Sequence, residues 1–252
     1  MAEDWDFYVA PVDDHLASIF VDLSLVESAP EATRTRLLRV AVPLKAPRDD
    51  GLSDDDETDA LYEVEDALFA SVARGLGARY VGRVTNQGRR EFFYYASSAE
   101  GLDAALQLVR PRFPAYEFTW QDQDDRDWSL YLDLLYPSDL DLQTIQNRRV
   151  VETLAESGDD LTEPRNVDHW AYFPSEHARE QFVSQLDGQG FTVKLSEVEE
   201  PDAEFRYGVH LIRRDRVDLD TIDALAIDLY LRASTCGGEY DGWEAPAVAS
   251  GG

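Results

Sequence analysis

Residues 167–198 read VDHWAYFPSEHAREQFVSQLDGQGFTVKLSEV, and this run decides the fold. Val167–Phe173 alternates apolar with polar positions and is rich in aromatic residues, the signature of a strand. Ser175 then opens a helix that places Ala178, Phe182 and Leu186 on one face and ends in a glycine pair, Gly188 and Gly190. Phe191–Val198 reads as a second strand. Arg206–Arg214, RYGVHLIRR, pairs with it antiparallel across an acidic loop, EEPDAEF (199–205). A further helix starts near Asp218 with Ile222, Leu225, Leu229 and Ala233 as its apolar stripe, and Gly237 and Gly238 suit its C-terminal cap. EYDGWEA, Glu239–Ala245, follows as the final strand. The order is β-α-β-β-α-β, the split βαβ pattern.

Working outward, Asp141–Gly158 reads as a helix carrying Leu142, Ile145, Val151 and Leu154, set off from what precedes it by Pro137. The first half repeats the pattern. Strands are expected at Trp5–Pro11, Leu16–Val26 and Leu37–Leu44, followed by an exposed acidic loop, APRDDGLSDDDETD (46–59). A helix with Leu61, Val64, Leu68 and Val72 at helical spacing stops at Gly75 and Gly77. Ala78–Ala96 reads as two strands joined at Asn86-Gln87-Gly88, and a second helix carries Leu102, Ala105, Leu106 and Val109, with Ser97 and Glu100 as its capping box. Tyr116–Gln123 and Trp128–Pro137 close the half as strands. The expectation is an α+β protein of two ferredoxin-like βαββαβ sandwich domains in tandem, 1–138 and 139–252, the first with extra strands at both ends.

Charge is the strongest global signal. The chain holds 51 acids against 23 bases, a net of −28. Such a chain is repelled by phosphate, which argues against tight binding of bare nucleic acid or of an anionic membrane and favours either a solubilising surface or a basic protein partner. No stretch reaches the roughly 18 apolar residues of a membrane span. The acidic start MAEDWDFYVA is unlike a secretory signal, and Cys236 is the single cysteine. A cytoplasmic location is expected.

The terminal run EYDGWE after a long helix resembles the C-terminal signature of the regulator of ribonuclease activity B family, protein inhibitors of ribonuclease E. The resemblance extends back through DLDTIDALAIDLYLRA to the run quoted first, covering Asp139–Ala247. It implies an α/β sandwich, no cofactor, and an activity exerted by protein–protein binding without chemistry of its own, with ribonuclease E or another basic RNA-processing protein as partner. The N-terminal half, through WDFYVAP, YVGRVTNQGRREFFYY and the region near Trp128, is similar to a bacterial domain of unknown function, number 695. That similarity brings no activity with it.

Strand alternation predicts Glu239, Asp241 and Trp243 on one face of the last strand and Tyr240 and Glu244 on the other, with Gly242 admitting a close neighbour. Glu239, Tyr240, Asp241 and Trp243 are therefore the candidate partner-binding residues. Tyr and Trp anchor interfaces as readily as cores, so packing and contact both stand open. The alternative is a hydrolase or metal-dependent enzyme with a site near His169, His210 and Asp241, because the strands of the two histidines are expected to pair. His15, His169, His177 and His210 show no metal-helix spacing. The acidic runs lack the arrangement of a calcium loop. Arg83, Arg89 and Arg90 lie in a glycine-containing stretch without a phosphate-loop motif, which leaves a basic hairpin rim or an anion contact.

Overall fold

The computed structural model describes residues 2–197 and 204–248, and the expected acidic loop 199–205, apart from its last two residues, lies outside them. The chain forms an α+β protein of two compact units, Met1–Asp141 and Leu142–Gly252.

In the first unit the elements are β1 (Trp5–Val12), β2 (His15–Asp22), β3 (Arg36–Pro43), α1 (Asp55–Leu68), β4 (Arg79–Asn86), β5 (Arg89–Ala96), α2 (Leu102–Val109) and β6 (Thr119–Asp124). They build one antiparallel sheet in the order β1-β2-β4-β5-β3-β6. Two turns in it follow directly from sequence. Asp13-Asp14 and Gln87-Gly88 hold positive φ at both central positions, the backbone of two-residue hairpins whose twist matches the strands. Leu61, Val64 and Leu68 of α1 and Leu102, Leu106 and Val109 of α2 are buried against Leu38, Val40, Phe92 and Tyr94 of the sheet, so the helical stripes face the core as their spacing requires.

Three expectations for this unit are corrected. Trp128–Pro137 is not a strand: Leu130–Leu135 forms a π-helical turn on the opposite sheet face. Asp125 starts it by accepting from the backbone amides of Ser129 and Leu130, Trp128 turns the chain at φ 55°, and its indole stacks on Tyr95 at 4.1 Å. Consequently the extra strands are not at both ends; β1 and β2 both lie beyond β4. Helix α2 has Gly101 at its N-cap in a left-handed conformation, so Ser97 and Glu100 do not form a capping box.

Helix α3 (Asp139–Glu156) begins in the last residues of the first unit, and the second unit continues with β7 (Arg165–Phe173), α4 (Glu176–Ser184), β8 (Thr192–Glu197), β9 (Tyr207–Asp215), α5 (Leu219–Thr235) and β10 (Glu239–Glu244). The sheet is antiparallel, ordered β10-β7-β9-β8, so β10 and β8 are its edges. Ser175 and Asp218 cap α4 and α5 by accepting from the amides of Ala178 and Thr221, which is why those helices begin where they do. Ala178, Phe182 and Leu186 pack with Ile222, Leu225 and Leu229 over Val167, Ala171, Val209 and Leu211.

Candidate partner-binding strand

β10 runs along β7 with a bulge. Tyr240 pairs with Ala171 and Gly242 with Trp170, so Asp241 is an extra residue with no opposite number. One inserted residue reverses the alternation beyond it. Tyr240 and Trp243 thus both enter the core, 9% and 8% exposed, while Glu239, Asp241 and Glu244 are exposed. This corrects the predicted faces: Trp243 parts from Glu239 and Asp241 and joins Tyr240. Gly242 permits the bulge by its backbone, at φ 105°, and no heavy atom lies within 4 Å of where its side chain would begin. Its role is conformational and not the admission of a neighbour.

Buried polar contacts lock both aromatic residues. The Trp243 indole N–H donates to Asn147 Oδ1 at 2.9 Å, and Gln143 Nε2 donates to the same oxygen at 3.0 Å. Asn147 Nδ2 donates in turn to Asp223 Oδ1 at 2.8 Å, tying β10 to α3 and α5. The Tyr240 hydroxyl lies 2.8 Å from His169 Nδ1. Burial raises the Tyr240 phenol well above its usual range and pushes the His169 imidazole down to about 4, so both are neutral near pH 7.

The segment after β10 is pinned as well. Arg165, 4% exposed, donates from Nη1 to Asp159 Oδ2 at 2.5 Å and to the Pro246 carbonyl at 3.1 Å, and from Nη2 to the Asp160 carbonyl. Asp159 also accepts from the Val248 amide at 2.6 Å. The hydrogen bond from Arg165 holds the Asp159 carboxyl below its usual range.

The enzymatic alternative required His169, His210 and Asp241 to converge, and they do not. His169 pairs across the strands with Leu211 and is wholly buried, whereas His210 pairs with Trp170, one residue on, and so lies on the other face of the sheet. There His210 stacks on Trp170 at 5.0 Å and binds Asp168 through Nε2 at 2.5 Å. Asp241 is exposed at the sheet edge. Among the described residues no three His, Cys, Asp or Glu side chains form a metal-holding group. The structure also shows what sequence reading missed: the Asn147–Asp223 network, whose polar residues look like surface on a helical wheel, and the Trp170–His210–Asp168 group. Cys236 caps α5 and accepts from Gln185 Nε2 at 3.2 Å.

The result is an α+β protein of two antiparallel-sheet units, in which the edge strand β10 buries its two aromatic residues and exposes its acids. Residues 3–136 match the family described as "Family of unknown function (DUF695)", and the chain belongs to that family. Residues 144–245 match a second family, described as "Regulator of ribonuclease activity B". No curated protein matches the chain. Among solved structures, one described as a "putative glycine cleavage system transcriptional repressor" is 9% identical, with 84% of this chain and 98% of that chain covered. Its TM-score of 0.26 carries no argument about fold or function.

Proposed function

We propose that this chain is a non-catalytic, acidic, cytoplasmic regulator that binds ribonuclease E or another basic RNA-processing protein and restrains RNA cleavage by contact. The observation that carries the reading is the match of residues 144–245 to the regulator of ribonuclease activity B. Within it, the partner-facing groups are Glu239 and Asp241, held outward because Tyr240 and Trp243 anchor the strand inward. An acidic edge strand suits a basic surface and resists indiscriminate pairing with other sheets, since charge and a bulge both guard an edge. The net charge of −28 acts in the same direction by speeding encounter with a positive partner.

We read both units as ferredoxin-like domains, meeting near residue 139. The strand orders β6-β3-β5-β4 and β10-β7-β9-β8 both follow the fourth-first-third-second arrangement of a split βαβ unit, with β1 and β2 appended in the first. The test is titration of the full-length protein into a ribonuclease E cleavage assay at two salt concentrations. Inhibition that weakens as salt rises supports a charge-guided contact; unchanged cleavage at saturation overturns the reading.

A further inference from the structure

The first unit holds a cleft of about 650 Å³, within the range of small-molecule sites. It arises from the topology. β1 and β2 extend the sheet past the core under α1 and α2, and this leaves the rings of Trp5, Phe7 and Phe20 beside Tyr62 of α1 and Phe69 just past its end. Phe7 and Tyr62 are each 47% exposed and present large ring faces along the cleft wall. A second bulge shapes the floor: Tyr80 pairs with Tyr94 and Gly82 with Phe93, which brings Arg83 to the same face as Phe92 and Arg90. Gly82 is required there, because a Cβ at that position would sit 2.4 Å from the Phe20 carbonyl oxygen.

Two arginines line this cleft, and they differ. Arg83 is neutralised: Nη1 donates to both oxygens of Glu65 at 2.8 and 2.6 Å, and Glu65 also accepts from the Tyr80 hydroxyl. Among the described residues Arg90 has no hydrogen-bonded carboxylate. It is 5% exposed, its Nε donates to Thr85 Oγ1 at 2.8 Å and its Nη2 to Ser53 Oγ at 3.4 Å, and its Nη1 is buried with no acceptor among those residues. A buried guanidinium whose hydrogen bonds reach only hydroxyl groups is costly, and an Nη1 left without an acceptor calls for one. Burial, helped by the charge of Arg83, lowers the Arg90 guanidinium to about 10, which still leaves it charged at neutral pH.

We infer that the cleft binds a small aromatic monoanion, its carboxylate directed to Arg90 and Ser53 and its ring to the Phe7, Phe20 and Tyr62 walls. The one open donor, Arg90 Nη1, matches a single carboxylate, and Glu65 and Asp66 in the same lining disfavour a dianion such as a phosphate ester. The Tyr62 ring, half exposed, lies 5.3 Å from the Arg83 guanidinium and 6.0 Å from that of Arg90, so an aromatic wall and the cation stand together. This inference is independent of the proposed role of β10.

Calorimetric titration of the full chain with indole-3-acetate, with its neutral amide and with inorganic phosphate tests it. The expected result is one-to-one binding of the acid, at least about tenfold weaker binding of the amide, and weaker binding still of phosphate. Arg90→Gln is expected to remove the preference for acid over amide. Phe7→Ala, a change at an exposed position, is expected to weaken the acid several-fold without loss of fold. Absence of acid binding, equal binding of acid and amide, or phosphate binding as tightly as the acid would each overturn the inference. The comparison of the three probes on the natural protein decides it even where Arg90→Gln does not fold.

Discussion

Trp243 donates its indole N–H to Asn147 Oδ1 at 2.9 Å, from a strand at the sheet edge to a helix residue that is itself wholly buried. The most conspicuous residue of the terminal motif is therefore a fastener between β10 and α3. Truncating it removes a large buried ring and one of the two donors to Asn147 Oδ1. Trp243→Ala is expected to cost roughly 3–5 kcal/mol, read as a fall in the urea midpoint of the second unit. An unchanged midpoint would show that the indole is not part of the core. For the same reason Trp243→Ala is a poor probe of partner binding, since lost folding would imitate lost contact.

Gly242 sits at φ 105°, a conformation that side chains rarely adopt. Gly242→Val is expected to destabilise the protein by about 1–3 kcal/mol although a Cβ there meets no heavy atom of the described residues within 4 Å. The informative comparison is Ala with Val. Both are expected to lower the thermal midpoint, because the penalty resides in the backbone and not in space. A midpoint equal to that of the natural protein in both variants would remove the bulge from the account.

His169 makes stability depend on pH. Its imidazole falls from the ordinary 6.5 to about 4 on folding, chiefly through burial. As pH drops, the unfolded chain takes up a proton first, so stability is complete above about 6.5, declines between there and about 4, and levels off below. The full contribution is roughly 3 kcal/mol. His169→Phe is expected to flatten the slope of stability against pH across that window relative to the natural protein. Parallel curves for the two would contradict the assignment.

Asp159 ties the chain after β10 to Arg165, with the two side chains 0% and 4% exposed. Removing one charge leaves the other buried and alone, the costly case for an internal ion pair. Asp159→Asn is expected to lower the urea midpoint and to speed amide hydrogen exchange at Val248, whose N–H donates to that carboxylate. Exchange at Val248 that matches the natural protein would show the segment to be held by other means.

Much of this was legible from residues alone, and the exceptions share a cause. Apolar stripes at helical spacing placed α1, α2, α4 and α5 on the core, and Gln87-Gly88 marked a hairpin, because each is a local pattern with a local physical reason. Alternation failed wherever the chain inserted one residue. Asp241 and Val81 each add a position that reverses every side chain beyond it, and only the neighbouring glycines, Gly242 and Gly82, hinted at this. Leu130–Leu135 deceived differently. Its composition suits a strand, but Asp125 and the stacking of Trp128 on Tyr95 impose a turn that depends on the other strands being in place. For the candidate site, the acids were visible and their outward placement was not, since the bulge decides it.

The exposed acids beside the buried anchors allow the central claim to be tested without unfolding the protein. The measurement is a titration of ribonuclease E cleavage with the natural protein and with the double variant Glu239→Lys/Asp241→Lys, after confirming equal urea midpoints. The account predicts inhibition by the natural protein and at least about a tenfold higher half-inhibitory concentration for the variant, as charge reversal places like charges against a basic partner. Equal inhibition by the two would remove β10 from the contact surface, and no inhibition by the natural protein would contradict the regulatory reading itself.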